Sequence, residues 1–219
     1  MISPDRILEV CILFFKTKAL MLKAEEIDNN NGTFLQPTLE LKAAFDHVMR
    51  AFAREHGVTK SDSSNGTYAD HQLDKSMGHI YRAYFDTADW ISINFREQTS
   101  DMLEPYDNSD ITAVFPAYFT DIKPRLIDYE TGISNLRNQK DIAGESDTLF
   151  DQYEALLGLM CEDMKSVSRM IPSLEEYSMR RKRKERSDLR KEFVMNWIKY
   201  FSTAGFIAFM AWLYSKYWK

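Results

Sequence analysis

The stretch LDKSMGHIYRAYFDTADWISINF, residues 73–95, places Leu73, Met77, Ile80, Tyr84, Ala88, Ile91 and Phe95 at spacings of three and four. At 3.6 residues per turn these side chains line one face of a helix, and a face that apolar must be covered by other elements. The pattern predicts a core-facing helix of about eight turns that starts at Thr67 and ends before Pro105. No stretch alternates apolar and polar residues long enough to propose a strand, so the chain reads as all-α, an antiparallel helical bundle with short loops.

Upstream, Ser3 reads as the cap of a first helix, with Pro4 at its first position and Asp5 in its first turn; the DNNNG run ends it near residue 28. A second helix runs from about Pro37 to Gly57, with Leu41, Ala44, Val48, Ala51 and Phe52 on one side. Downstream, Pro116 and Pro124 interrupt residues 109–142, which predicts a kinked helix or two pieces. Ser146 is read as the cap of the next helix, whose Leu149, Tyr153, Leu156, Leu157, Met160, Met164, Val167 and Ile171 face the core until Pro172 stops it. Ser173 and Glu176 then form a capping box for a last helix. Nothing from Leu174 to Trp218 breaks that helix, and Gly205 is its only weak point.

With 219 residues, 44% of them apolar, the chain is long enough for one sizeable core and a tail. Its net charge of −5 conceals a division. Residues 180–219 hold 11 Lys or Arg against 3 Asp or Glu, a net +8, whereas residues 1–179 hold 17 against 30, a net −13. An acidic head repels phosphate backbones, which argues against nucleic acid as a partner of residues 1–179. Cys11 and Cys161 have no nearby Cys or His; they read as buried small hydrophobes, with no metal cluster, disulfide framework or cofactor expected. No secretory leader is read at the start of the chain, so the head is expected in the cytosol, and the sequons at Asn31 and Asn65 read as Asn-Gly turns.

Two polar groupings invite a catalytic reading. Arg50 and His56 superficially look like the motif of HEPN-type ribonucleases, but the pair is short enough to arise by chance and its side chains point about 120° apart on one helix. His79, Arg82, Asp86 and Asp89 fall within about 80° of each other on the 67–103 helix, where a His beside two carboxylates could serve as a general base or a metal ligand set. Lys75 and Glu97 share that face, as a solvated surface would have it. Trp90 and Ile93 lie on the same side, and a large aromatic there suggests contact with a partner.

The tail carries the stronger signal. Eight of the twelve residues 180–191 are basic: Arg180, Arg181, Lys182, Arg183, Lys184, Arg186, Arg190 and Lys191. Sixteen uncharged residues then separate Lys199 from Lys216; with Lys199 snorkelling, 193–215 offers 23 residues for a transmembrane helix. Ala204, Ala208, Ala211 and Ser215 form a small-residue stripe suited to helix packing in lipid, and Trp197, Tyr200, Tyr214, Tyr217 and Trp218 gather toward the two ends. The basic run is then expected to contact anionic headgroups on the cytoplasmic side.

The organisation expected is therefore an acidic cytosolic head (1–179), a basic juxtamembrane helix (180–192), a span (193–215) and a short C-terminal tail (216–219). The functional expectation is a single-pass, tail-anchored interaction or sensing protein that docks a cytosolic protein or ligand and self-associates into a homo-oligomer. A membrane-acting effector, as in bacterial immunity, is one form of it by architectural analogy. The alternative is a membrane-tethered enzyme, HEPN-like ribonuclease or hydrolase, with its polar site on the 67–103 helix.

Overall fold

The helix read from residues 73–95 is the axis of the molecule. In a computed structural model, which describes residues 2–28, 35–58, 67–140 and 146–217, every regular element is helical and no strand occurs among the described residues. α3 (Thr67–Leu103) packs against α1 (Pro4–Ile27), α2 (Leu35–Glu55) and α6 (Ser146–Tyr217), and it also touches α5 (Lys123–Lys140). Leu73, Ile80, Tyr84, Ala88, Ile91 and Phe95 are buried as their spacing requires, and Met77 is half-buried against the same core. α1 contributes Val10, Leu13, Leu20 and Ala24, α2 contributes Ala44 and Ala51, and α6 contributes Leu149, Phe150, Tyr153, Leu157 and Met160.

Helix ends follow local chemistry. Ser3 holds the N-cap position of α1 in extended backbone (φ −67°, ψ 132°), although its hydroxyl makes no capping hydrogen bond. Beyond α2, Gly57 takes φ 68°, with Val58 N–H bonded to Ala53 O (2.8 Å) and Gly57 N–H to Arg54 O (3.2 Å). That is the Schellman arrangement, and its left-handed residue is one that glycine adopts without a Cβ penalty. The expected turns at Asn31 and Asn65 lie outside the described residues.

The two prolines split residues 108–140 as expected. α4 (Asn108–Val114) ends just before Pro116, and one turn of π-helix, Tyr118–Ile122, leads into α5. Pro124 lacks the N–H for an ordinary bond one turn back, while Lys123 N–H bonds Tyr118 O five residues earlier. This region makes a second small core of Leu103, Ile111, Ile122, Val167 and Leu174.

Two expectations need correction. Pro172 does not stop a helix: α6 runs through it, 72 residues in all, so Ser173 and Glu176 form no capping box. Val167 and Leu174, both fully buried, flank the proline, and this packing holds the helix together across the missing hydrogen bond. Cys11 is exposed and Cys161 only half-buried, because the buried face of α1 runs through Val10 and Leu13. The expected span at 193–215 finds no support in the fold: among the described residues no helix is long and apolar enough to cross a membrane. The tail is continuous helix, but Asn196, Lys199, Ser202 and Thr203 dilute its first half, and its Trp and Tyr rings are amphipathic rather than fully apolar.

Candidate functional site

The four polar residues expected to form one site on α3 separate into two. His79 and Arg82 belong to a cluster with α2. The His79 Nδ1–H donates to Glu40 Oε2 at 2.7 Å, and Arg82 Nε lies 3.6 Å from the same oxygen. His47 stacks on His79 with ring centroids 5.2 Å apart and donates from Nδ1 to Gln72 Oε1 at 2.7 Å. Asp89 lies ten residues further on, about 15 Å along the helix axis. It is buried, accepts from Tyr153 Oη at 3.0 Å and pairs with Arg137 Nε at 2.8 Å.

Each cluster joins helices. The first ties α2 to α3; the second ties α3 to α5 and α6. A third joins α5 to α6: Arg125 donates from Nε (2.9 Å) and Nη2 (2.6 Å) to the two oxygens of buried Asp163, which also accepts from Tyr129 Oη at 2.7 Å. Burial, then the adjacent carboxylate, pushes the Tyr153 phenol well above its ordinary range, and the same two causes raise Tyr129 to about 12. A phenol held protonated donates to its carboxylate, as a structural clamp requires. The apolar spacing of α3 does not announce Glu40, His47, Tyr153, Arg137, Arg125 or Asp163, because each arrives from another helix.

The His79–Glu40 pair has the form of a base with its orienting carboxylate. However, three grooves of the head are lined by other residues, and no group of metal-binding side chains occurs among the described residues. Asp86 is half-buried and also has a partner in the fold. Arg50 pairs with Asp46 at 2.7 Å and His56 stacks on Phe52, so the two residues of the ribonuclease-like pair do not meet. Trp90 is half-buried against the core rather than presented outward, whereas Ile93 is 37% exposed.

The remaining grouping is the C-terminal half of α6. Arg181 is the last residue of α6 that the head covers: its guanidinium pairs with Asp107, lies 2.9 Å from fully buried Asp110 and donates to Ser109 Oγ at 2.6 Å. It is a bolt between α6 and the start of α4, which sets it apart from the other cations of the basic run. Arg180 is exposed and pairs with Glu176 at 2.5 Å.

No known protein family matches this chain. Searches of curated proteins and of solved structures also find no match.

Beyond Arg181 the helix leaves the head. Residues 182–217 rise about 54 Å with almost every side chain in the open. Lys182, Arg183, Lys184, Arg186, Arg190 and Lys191 form a basic collar about 15 Å long. Phe193, Trp197, Phe201, Phe206, Ile207, Phe209 and Trp212 follow, each at least half exposed. Ala204, Ala208, Ala211 and Ser215 are exposed as well. From Ala204 to Tyr214 no charged residue interrupts any side of the helix.

Proposed function

We propose that the chain is a membrane-docked interaction protein: the tail of α6 inserts into a bilayer, the collar engages anionic headgroups, and the helical head stands in the cytosol to bind a protein or ligand. One observation carries this reading, the apolar surface that surrounds the tail helix and that the head leaves uncovered. A helix apolar on all sides needs an apolar surrounding on all sides. A helix lying flat at an interface needs a strongly polar face, which residues 204–214 lack.

Among the described residues no helix has the length and apolarity of an unstrained crossing, so insertion places strain at both ends. The sixteen residues between Lys199 and Lys216 rise about 24 Å, short of roughly 30 Å of hydrocarbon. Snorkelling by the two lysines and local thinning of the bilayer offset the difference at modest cost. The small-residue stripe then provides a surface on which tails pack in lipid. The collar, which excludes Arg181 and the Glu176-paired Arg180, keeps six cations on the head side of the insertion, and cations beside a membrane segment stay on the cytoplasmic side.

Vesicle flotation tests the proposal. The full chain should float with phosphatidylcholine vesicles containing phosphatidylserine and should float less with phosphatidylcholine alone. Replacing Phe206, Phe209 and Trp212 by Ser should leave it at the bottom of the gradient. A full chain that stays at the bottom with both vesicle types would overturn the reading. Resistance to alkaline carbonate then separates an inserted tail from one held only by charge.

A further inference from the structure

Ser187 lies at the centre of the basic collar. Arg183 and Lys184 precede it by four and three residues, and Arg190 and Lys191 follow it by three and four. In an α-helix these are its nearest surface neighbours, with Cβ atoms about 5–6 Å away and within about 60° of it around the axis. The acids of the collar, Glu185, Asp188 and Glu192, project about 100° or more from it, toward the other side. Ser187 and the four cations are all exposed, and Lys191 also reaches Asp188 at 3.5 Å. No other serine or threonine occurs between Ser178, which is buried in the head, and Ser202, within the tail.

We propose that Ser187 is a phosphorylation site, and that a phosphate there weakens the docking of the collar on anionic membranes. This rests on the membrane-docking reading and gives that docking a control. Recognition follows from charge: Arg183, Lys184 and Arg186 stand just before the hydroxyl, where they complement the acidic cleft of a basic-directed serine kinase. Access follows from packing. Beyond Arg181 almost every side chain of the helix is in the open, and a helix without tertiary packing opens locally at little cost, so the segment extends into the cleft. In the transfer, Ser187 Oγ attacks the γ-phosphorus of ATP and forms the new O–P bond. The bond from that phosphorus to the β,γ-bridging oxygen breaks, ADP leaves, and the hydroxyl proton passes to a base of the kinase.

Charge also sets the effect. Residues 182–192 hold six cations and three acids, a net +3. A phosphoserine brings about −1.5 to −2 at pH 7, which cancels half of that or more. Its oxygens accept hydrogen bonds from Arg183, Lys184 and Arg190, the same cations that the docked collar turns toward lipid headgroups. Affinity for anionic vesicles should fall roughly tenfold or more.

Two measurements on the full chain test the proposal. In the first, the chain is incubated with magnesium ATP and the catalytic fragment of protein kinase C, a basic-directed serine kinase, and the phosphate is located by mass spectrometry. Ser187 should be the main acceptor, and Ser187→Ala should lose most of the incorporation. Phosphate absent from Ser187 overturns the proposal. In the second, a chain with phosphoserine built in at position 187 is floated at rising lipid beside the wild type and Ser187→Ala. With vesicles of phosphatidylcholine and phosphatidylserine it should need roughly tenfold more lipid for half-flotation, and with phosphatidylcholine alone the three chains should match. The same loss on both vesicle types overturns the charge switch. A wild type that floats with neither vesicle type overturns the membrane reading and the switch with it. A wild type that floats, beside a phosphoserine chain that floats equally on the anionic vesicles, overturns the switch alone.

Discussion

At the scale of single residues, the head is held by phenols and guanidiniums that reach carboxylates, among them the buried Asp89, Asp110 and Asp163. Tyr84, Tyr129 and Tyr153 are all buried, and burial is the first cause that raises each of their pKa values. Glu154, Asp163 and Asp89 respectively add to the rise, because a phenolate beside a carboxylate is a pair of like charges. The sign of the linkage follows. A folded-state pKa raised above the unfolded value of about 10 contributes stability that is complete below pH 10 and is lost as pH rises. For Tyr129 the loss runs between about 10 and about 12. Tyrosinate absorbance should therefore rise in two stages, exposed tyrosines first and these three together with cooperative unfolding. A single transition at ordinary tyrosine pKa with helicity retained would contradict this. Tyr153→Phe removes one donor to Asp89 while Arg137 stays, so a loss of about 1 kcal/mol is expected in denaturant unfolding.

At the scale of elements, glycines inside helices are points where stability can be added. Nothing lies within 4 Å of a Cβ built on Gly78 in α3 or Gly158 in α6. Gly78→Ala and Gly158→Ala should each stabilise by about 0.5–1 kcal/mol, read from denaturant midpoints. Gly132 differs, since its Cβ would come 3.2 Å from Leu156 Cδ2, and the crowding offsets the helix-propensity gain. The helices themselves were legible in the sequence wherever apolar spacing ran unbroken, as in α3, and the break at Pro116 was legible from the ring's missing N–H. Pro172 was misread because its local cost is visible in sequence whereas the burial of Val167 and Leu174 around it is tertiary. The grouping of His79 with Asp89 failed for a similar reason. A shared helical face says nothing about ten residues of axial separation, nor about Glu40 and Arg137 arriving from neighbouring helices.

At the scale of the whole molecule, head and tail share a helix but not a core. The side chains that join α6 to the head end with Leu174, Ser178 and Arg181, and the collar and tail lie beyond them. Cooperative unfolding depends on contacts, so the head should melt as a unit whether or not the tail is present, while the free helix frays on its own. Ending the chain after Lys191 is accordingly expected to leave the head's denaturant midpoint unchanged within about 0.5 kcal/mol. Within the basic run, one residue should behave unlike the rest. Arg183→Ala and Lys184→Ala remove exposed cations and should leave the melting temperature of the head where it was. Arg181→Ala leaves Asp110 buried without its counter-charge and loosens α4 from α6, so it should lower that temperature clearly. Vesicle binding should invert the ranking, with Arg183 and Lys184 contributing to anionic-lipid affinity and Arg181 contributing little, since its guanidinium is already engaged. Measuring melting and flotation on the same three variants separates the bolt from the collar. Equal effects of all three substitutions on both measurements would show that the division at Arg181 is wrong.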